Sequence, residues 1–115
     1  MNTFKIRKKE DFANVFRNGQ FLKFNSFIIK YAKRLTTKEI DMPRYGIVAS
    51  KKVGNAVNRN FAKRRIRSLE KKFFSHGDKS LDFVVIVKKN LLTENFKILS
   101  NQLEQALKNV KKNKP

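Results

Sequence analysis

Arg59, Lys63 and Arg67 recur at steps of four, with Asn60 and Arg64 beside them, and this is the one constellation in the chain whose residue types and spacing suggest chemistry. A guanidinium offers a planar fork of donors that pairs with two phosphate oxygens at once, and an ammonium adds a compact point charge. Lys51, Lys52 and Asn55 precede the column, and Lys71 continues it by one further step. Between Ser50 and Lys72 nine residues are Lys or Arg, and Glu70 is the only acid. Like charges four apart on a helix repel by about 0.2–0.5 kcal/mol per pair, and no Asp or Glu lies four residues N-terminal to these cations to offset that cost. A charged helical face is commonly just solvated surface. The unmixed sign and the run of Arg in the middle of this one favour a polyanionic partner instead.

The chain offers no comparable set for bond breaking. Its nine acids are scattered, and only Glu10 and Asp11 are adjacent. A protein nuclease needs carboxylates to hold metal ions or a base to activate a nucleophile. Neither is legible, so no catalytic residue and no protein metal site is predicted. His76, the single histidine, reads as an exposed residue of a turn over Ser75–Ser80.

The elements that must position the cations follow from periodicity. Ala62, Ile66, Leu69 and Phe73 fall on one stripe of a helix that carries the basic column on another side. Gly54-Asn55 makes the turn into it, with Asn55 or Asn58 as N-cap. An earlier helix is expected over Lys8–Asn18: Glu10 and Asp11 suit its first turn, Gly19 a left-handed C-terminal position, and Phe12, Val15 and Phe16 a core face. Gln20 to Arg34 reads as extended, bent at Asn25-Ser26, with Phe27, Ile29 and Tyr31 on one side and Ile28 and Lys30 on the other. Leu35–Pro43 has no apolar period and reads as a surface loop. Tyr45–Ser50 reads as a short buried strand, and the apolar run Leu81–Val87 as an interior one, followed by Lys88-Lys89 as added basic surface. Thr93 is the expected N-cap of a last amphipathic helix bearing Phe96, Leu99, Leu103, Leu107 and Val110, with a loose basic tail at 111–115.

At 115 residues the chain suits one domain, 1–115, with one modest core. A formal net charge of +19 implies nucleic acid, an anionic membrane surface or a strongly acidic protein as partner. Eleven Phe argue for a folded core rather than disorder. There is no cysteine, no apolar run near the ~18 residues of a spanning helix, and no secretory signal after Met1. A cytoplasmic protein with no membrane partner is expected. Strand, basic helix, strand is a βαβ unit, for which steric rules favour a right-handed crossover.

The run Lys51-Lys52-Val53-Gly54-Asn55-Ala56-Val57, then Arg59-Asn60, Lys63-Arg64 and Arg67, resembles the signature of the bacterial ribonuclease P protein component. That family's pattern Arg-Asn-x-x-Lys-Arg-x-x-Arg is met at every fixed position. The resemblance implies an α+β sandwich of order α-β-β-β-α-β-α, with a mixed sheet and a left-handed crossover through the basic helix. It implies a protein subunit of ribonuclease P acting in 5′ maturation of tRNA. The RNA subunit performs the cleavage with bound Mg2+, and no obligate protein partner is expected. Lys51, Lys52, Asn55, Arg59, Asn60, Lys63, Arg64, Arg67 and Lys71 become the expected contacts to the catalytic RNA. Phe12 and Phe16, with Ile28 and Lys30 on the sheet, become the expected lining of a cleft for the single-stranded 5′ leader of precursor tRNA. Lys30 departs from the family, which often has an aromatic there, and its ammonium suits a leader phosphate instead. The competing reading is a small basic RNA- or DNA-binding module of ribosomal or nucleoid type with no part in cleavage.

Overall fold

The computed structural model describes residues 5–35 and 43–112. Four strands, β1 (Gln20–Lys23), β2 (Phe27–Lys33), β3 (Arg44–Val48) and β4 (Leu81–Val87), form one sheet in the order β1-β2-β4-β3. β4 pairs antiparallel with β2 and parallel with β3, so the sheet is mixed and the apolar run Leu81–Val87 is interior as its composition requires. The order of helices is α1 (Lys9–Asn18) before the sheet, α2 (Ala56–Arg67) and α3 (Glu70–His76) between β3 and β4, and α4 (Phe96–Lys112) at the end.

The expected alternation in β2 holds. Phe27, Ile29 and Tyr31 join Phe83, Val85 and Tyr45 in the main core, against Ala62, Ile66, Leu69 and Phe73 from α2 and α3 and Leu99, Leu103, Leu107 and Val110 from α4. Tyr45 stacks on Phe73 with centroids 4.6 Å apart and rings 11° from parallel. On the opposite face α1 sets Val15 against Ile6, Ala32 and Val84 in a smaller cluster, with Phe12, Val48 and Ile86 at its margin.

Several expectations need correction. The basic helix is not continuous to Lys72 but divides after Arg67, giving the order α-β-β-β-α-α-β-α. Ser68 N and Oγ both donate to Arg64 O at 2.9 Å, and the ladder changes at the next residue, where Leu69 N bonds to Ile66 O three residues back and the backbone takes φ −103° and ψ 11°. Gly19 is extended (φ −83°), not left-handed; glycine is needed there because a Cβ would lie 2.2 Å from Val15 O. Phe16 is no core residue, being 41% exposed, and Asn14 is buried beside Val15 in its place, donating to Lys33 O at 2.9 Å. His76 ends α3 rather than lying in a loop, with Nε2 3.4 Å from Glu104 Oε1. Asn95, not Thr93, caps α4, its Oδ1 accepting from Lys97 N and Ile98 N. Phe96 stays 43% exposed instead of docking on the sheet. Lys111 and Lys112 belong to α4, while the rest of the expected tail, 113–115, and positions 36–42 of the expected surface loop lie outside the described residues.

Candidate nucleic-acid interface

The approach to α2 is built by two polar side chains and a glycine. Ser50 Oγ accepts from Lys52 N at 3.3 Å and opens a 3-10 turn, Lys51–Val53, that buries Val53 and leaves Lys51 and Lys52 exposed. Gly54 has φ +140°, a region open to glycine and strained for other residues. Asn55 is the N-cap, its Oδ1 accepting from Asn58 N at 2.9 Å, which settles the choice between the two asparagines.

From that start the helix sends Ala62 and Ile66 into the core, so its cations must lie elsewhere. Asn60, Arg64 and Arg67 are exposed, and Arg59 and Lys63 half-buried. Arg59 Nη1 reaches back to Gly54 O at 3.5 Å. Among the described residues no carboxylate forms a salt bridge with Arg59, Lys63, Arg64 or Arg67. Glu70, the one acid nearby in sequence, instead accepts from Tyr45 OH at 3.0 Å. Burial, then that hydrogen bond, pushes the Tyr45 hydroxyl well above its ordinary pKa, so it stays a donor. Lys71 falls beyond the helix break, exposed on α3 beside Ser68, Ser75 and His76, and does not extend the column.

Arg65 differs from the other cations of the helix. It lies in the same basic run but turns inward, donating to Leu91 O and Glu94 O at 2.5 Å each, with its guanidinium 5.8 Å from the Phe61 centroid and 5.6 Å from that of Phe96. It ties α2 to the turn after β4. The only sequence signal for this was its offset of one from the Arg64 position.

The second predicted site lies on the α1 side of the sheet. Phe12 is half-buried, its ring so close over Gly46 that a Cβ there would stand 2.6 Å from the Phe12 ring carbons Cε1 and Cζ. Phe16 stands further out, with Lys30 Nζ 5.1 Å from its centroid and 3.5 Å from its carbonyl oxygen. Ile28, half-buried, pairs across the strands with Ile86 on the same floor. The four predicted cleft residues therefore share one face.

A buried ionic network sets how α1 lies on that face. Asp82, fully buried at the start of β4, accepts from Arg44 Nε at 2.8 Å and Nη2 at 2.6 Å and from Arg34 Nε at 3.1 Å, and Arg44 Nη2 lies 3.5 Å from Asp11 of α1. Burial lowers the Arg34 pKa, whereas the hydrogen bonds that Arg44 donates to Asp82 raise its own. Asp11, expected only to meet the helix dipole, is thus a tether as well.

The two sites adjoin. Lys63 and Arg67 of α2 line one concavity of about 180 Å³ together with Lys5, Ile6, Phe12, Tyr45, Gly46 and Ile47. The N-terminal segment helps to close it, because Ile6 N donates to Tyr45 O at 2.9 Å along the outer edge of β3. No group of three or more His, Cys, Asp or Glu that could hold a metal ion occurs among the described residues.

A family model described as Ribonuclease P matches residues 1–111. The chain belongs to the family of ribonuclease P protein components. A Streptococcus pyogenes ribonuclease P protein component is 35% identical over 106 residues, covering 92% of this chain and 85% of its own. The Staphylococcus aureus RNase P protein superposes with a TM-score of 0.77 at 34% identity, over 96% of this chain and 97% of that one. The Thermotoga maritima RNase P protein gives 0.76 at 29% identity, over 91% and 96%. The chain is accordingly a protein subunit of the endoribonuclease ribonuclease P, an RNA-binding part of a ribonucleoprotein active in tRNA processing. The ribosomal or nucleoid alternative is not favoured by these relatives. No helix among the described residues is long and apolar enough to cross a membrane.

Proposed function

We propose that α2 and the turn before it seat this ribonuclease P protein on the catalytic RNA, while the cleft beneath α1 holds the 5′ leader of precursor tRNA. Arg59, Asn60, Lys63, Arg64 and Arg67 meet phosphates on this reading, with Lys51, Lys52 and Asn55 at the helix entrance and Lys71 as a separate contact from α3. Phe12, Phe16, Ile28 and Lys30 meet the leader: the rings stack on unpaired bases and the ammonium pairs with phosphate. The observation that carries the proposal is the shared concavity in which Lys63 and Arg67 face Phe12. One RNA strand leaving the cationic helix passes directly over the aromatic floor.

Magnesium does not fit a protein site in this arrangement. The nearby carboxylates, Asp11, Asp82 and Glu70, are already held by Arg44, Arg34 and Tyr45. The ion is assigned to the RNA subunit, and the polypeptide contributes binding and orientation. The place of action we assign is the cytoplasm, in keeping with a chain that has no cysteine.

The test is reconstitution. Added to a ribonuclease P RNA at low magnesium, the purified chain should stimulate cleavage of precursor tRNA and bind precursor more tightly than mature tRNA. Phe16→Ala should reduce that preference by roughly fivefold or more, the loss of one stacked base. Equal discrimination by variant and parent would remove the leader from the cleft.

A further inference from the structure

The floor of the cleft does not end at Lys30. In the antiparallel pairing of β1 with β2, Phe21 stands directly opposite Lys30 and Lys23 opposite Ile28. Directly paired residues point to the same side of a sheet, so Phe21 and Lys23 lie on the face that carries Ile28, Lys30 and, above them, Phe16. Phe21 is 54% exposed, and Lys23 Nζ lies 5.8 Å from its ring centroid. Across this face the order is ring, ammonium, ring, ammonium: Phe16, Lys30, Phe21, Lys23.

Packing does not explain the Phe21 ring. β1 docks through Leu22, which turns to the other face and packs, half-buried, against the main core. A lysine on an edge strand is an ordinary guard against strand addition, but an aromatic beside it with half its surface in water guards nothing.

Single-stranded RNA presents the complementary alternation of stacking base and anionic phosphate, and successive bases stack on successive rings with little regard to sequence. A second copy of this chain is a poor occupant, because each carries a formal charge of +19. We infer that the edge strand β1 extends the leader cleft by a second nucleotide-binding unit, with Phe21 as its stacking ring and Lys23, alongside Lys30, as its phosphate contacts. This rests on the proposed cleft and adds its length: two consecutive ring–cation units, the first at Phe16 and the second at Phe21.

The experiment uses the reconstituted holoenzyme and a series of precursor tRNAs whose leaders grow one nucleotide at a time. For the parent, affinity should rise in two increments as the leader first reaches one unit and then the other. Phe21→Ala should abolish one increment, about fivefold, and leave the other, and Phe16→Ala should do the converse. Phe21 is half exposed, so its variant should keep the parent's melting temperature. A leader-length profile of Phe21→Ala that superposes on the parent's, with Phe16→Ala still impaired, overturns the extension and leaves the cleft standing. Loss from neither variant means that the cleft itself is misassigned. Equal weakening toward precursor and mature tRNA would also overturn the inference, by placing Phe21 against a part of the complex other than the leader.

Discussion

Arg64 and Arg65 are neighbours of identical chemistry with opposite employment. Arg64 projects into solvent with no carboxylate paired to it, whereas Arg65 is spent on two backbone carbonyls and two phenyl rings. Their alanine variants should therefore separate cleanly. Arg64→Ala should lower the salt dependence of RNA binding by about one unit of slope, the signature of one lost phosphate contact. Arg65→Ala should cost about 1–3 kcal/mol of stability through its orphaned carbonyls and leave that slope where it was. Urea unfolding and binding isotherms at several salt concentrations read both quantities. The basic residues are all visible in the sequence, but which of them faces inward depends on where Leu91, Glu94 and Phe96 come to lie.

At the scale of elements, α3 is fastened to α4 by Glu104. Its carboxylate accepts from Lys72 Nζ at 2.6 Å and from Lys108 Nζ at 2.9 Å, and these hydrogen bonds hold its pKa down at about 2. A depressed carboxylate stabilises the fold above its unfolded pKa, near 4.5, and that contribution disappears as pH falls through about 2. Glu104→Gln should accordingly be less stable than the parent at pH 7, with the gap closing toward pH 2, and the side-chain carbon of Glu104 should titrate near pH 2 by NMR. Periodicity found α4 and the apolar stripe Ala62, Ile66, Leu69 and Phe73, since those patterns are local. It ran the basic helix past Arg67 because the ladder tightens at Leu69, whose N–H bonds to Ile66 O three residues back, without interrupting the stripe. Lys71 was drawn into the cationic column by the same assumption.

For the whole molecule, the charge of +19 is divided unevenly in use. Arg34 and Arg44 bind α1, β3 and β4 together through Asp82 and Asp11, while the cations of α2 lack acidic partners among the described residues. Replacing Arg59 and Arg67 together with alanine should weaken assembly on the catalytic RNA and flatten its salt dependence, which for about six phosphate contacts in the parent amounts to a loss of about three decades between 50 and 200 mM salt. Unchanged affinity of the double variant at moderate salt would remove α2 from the interface. The sequence by itself determined the family, the α+β class, the cationic helix and the candidate aromatics, because a fixed spacing of residue types and a local hydrophobic period need no knowledge of distant contacts. Tertiary structure alone decided that Lys63 and Arg67 share a concavity with Phe12, that Arg65 serves the fold, and that Phe21 stands beside Lys30. Those facts rest on strand register and helix docking, which join residues far apart along the chain.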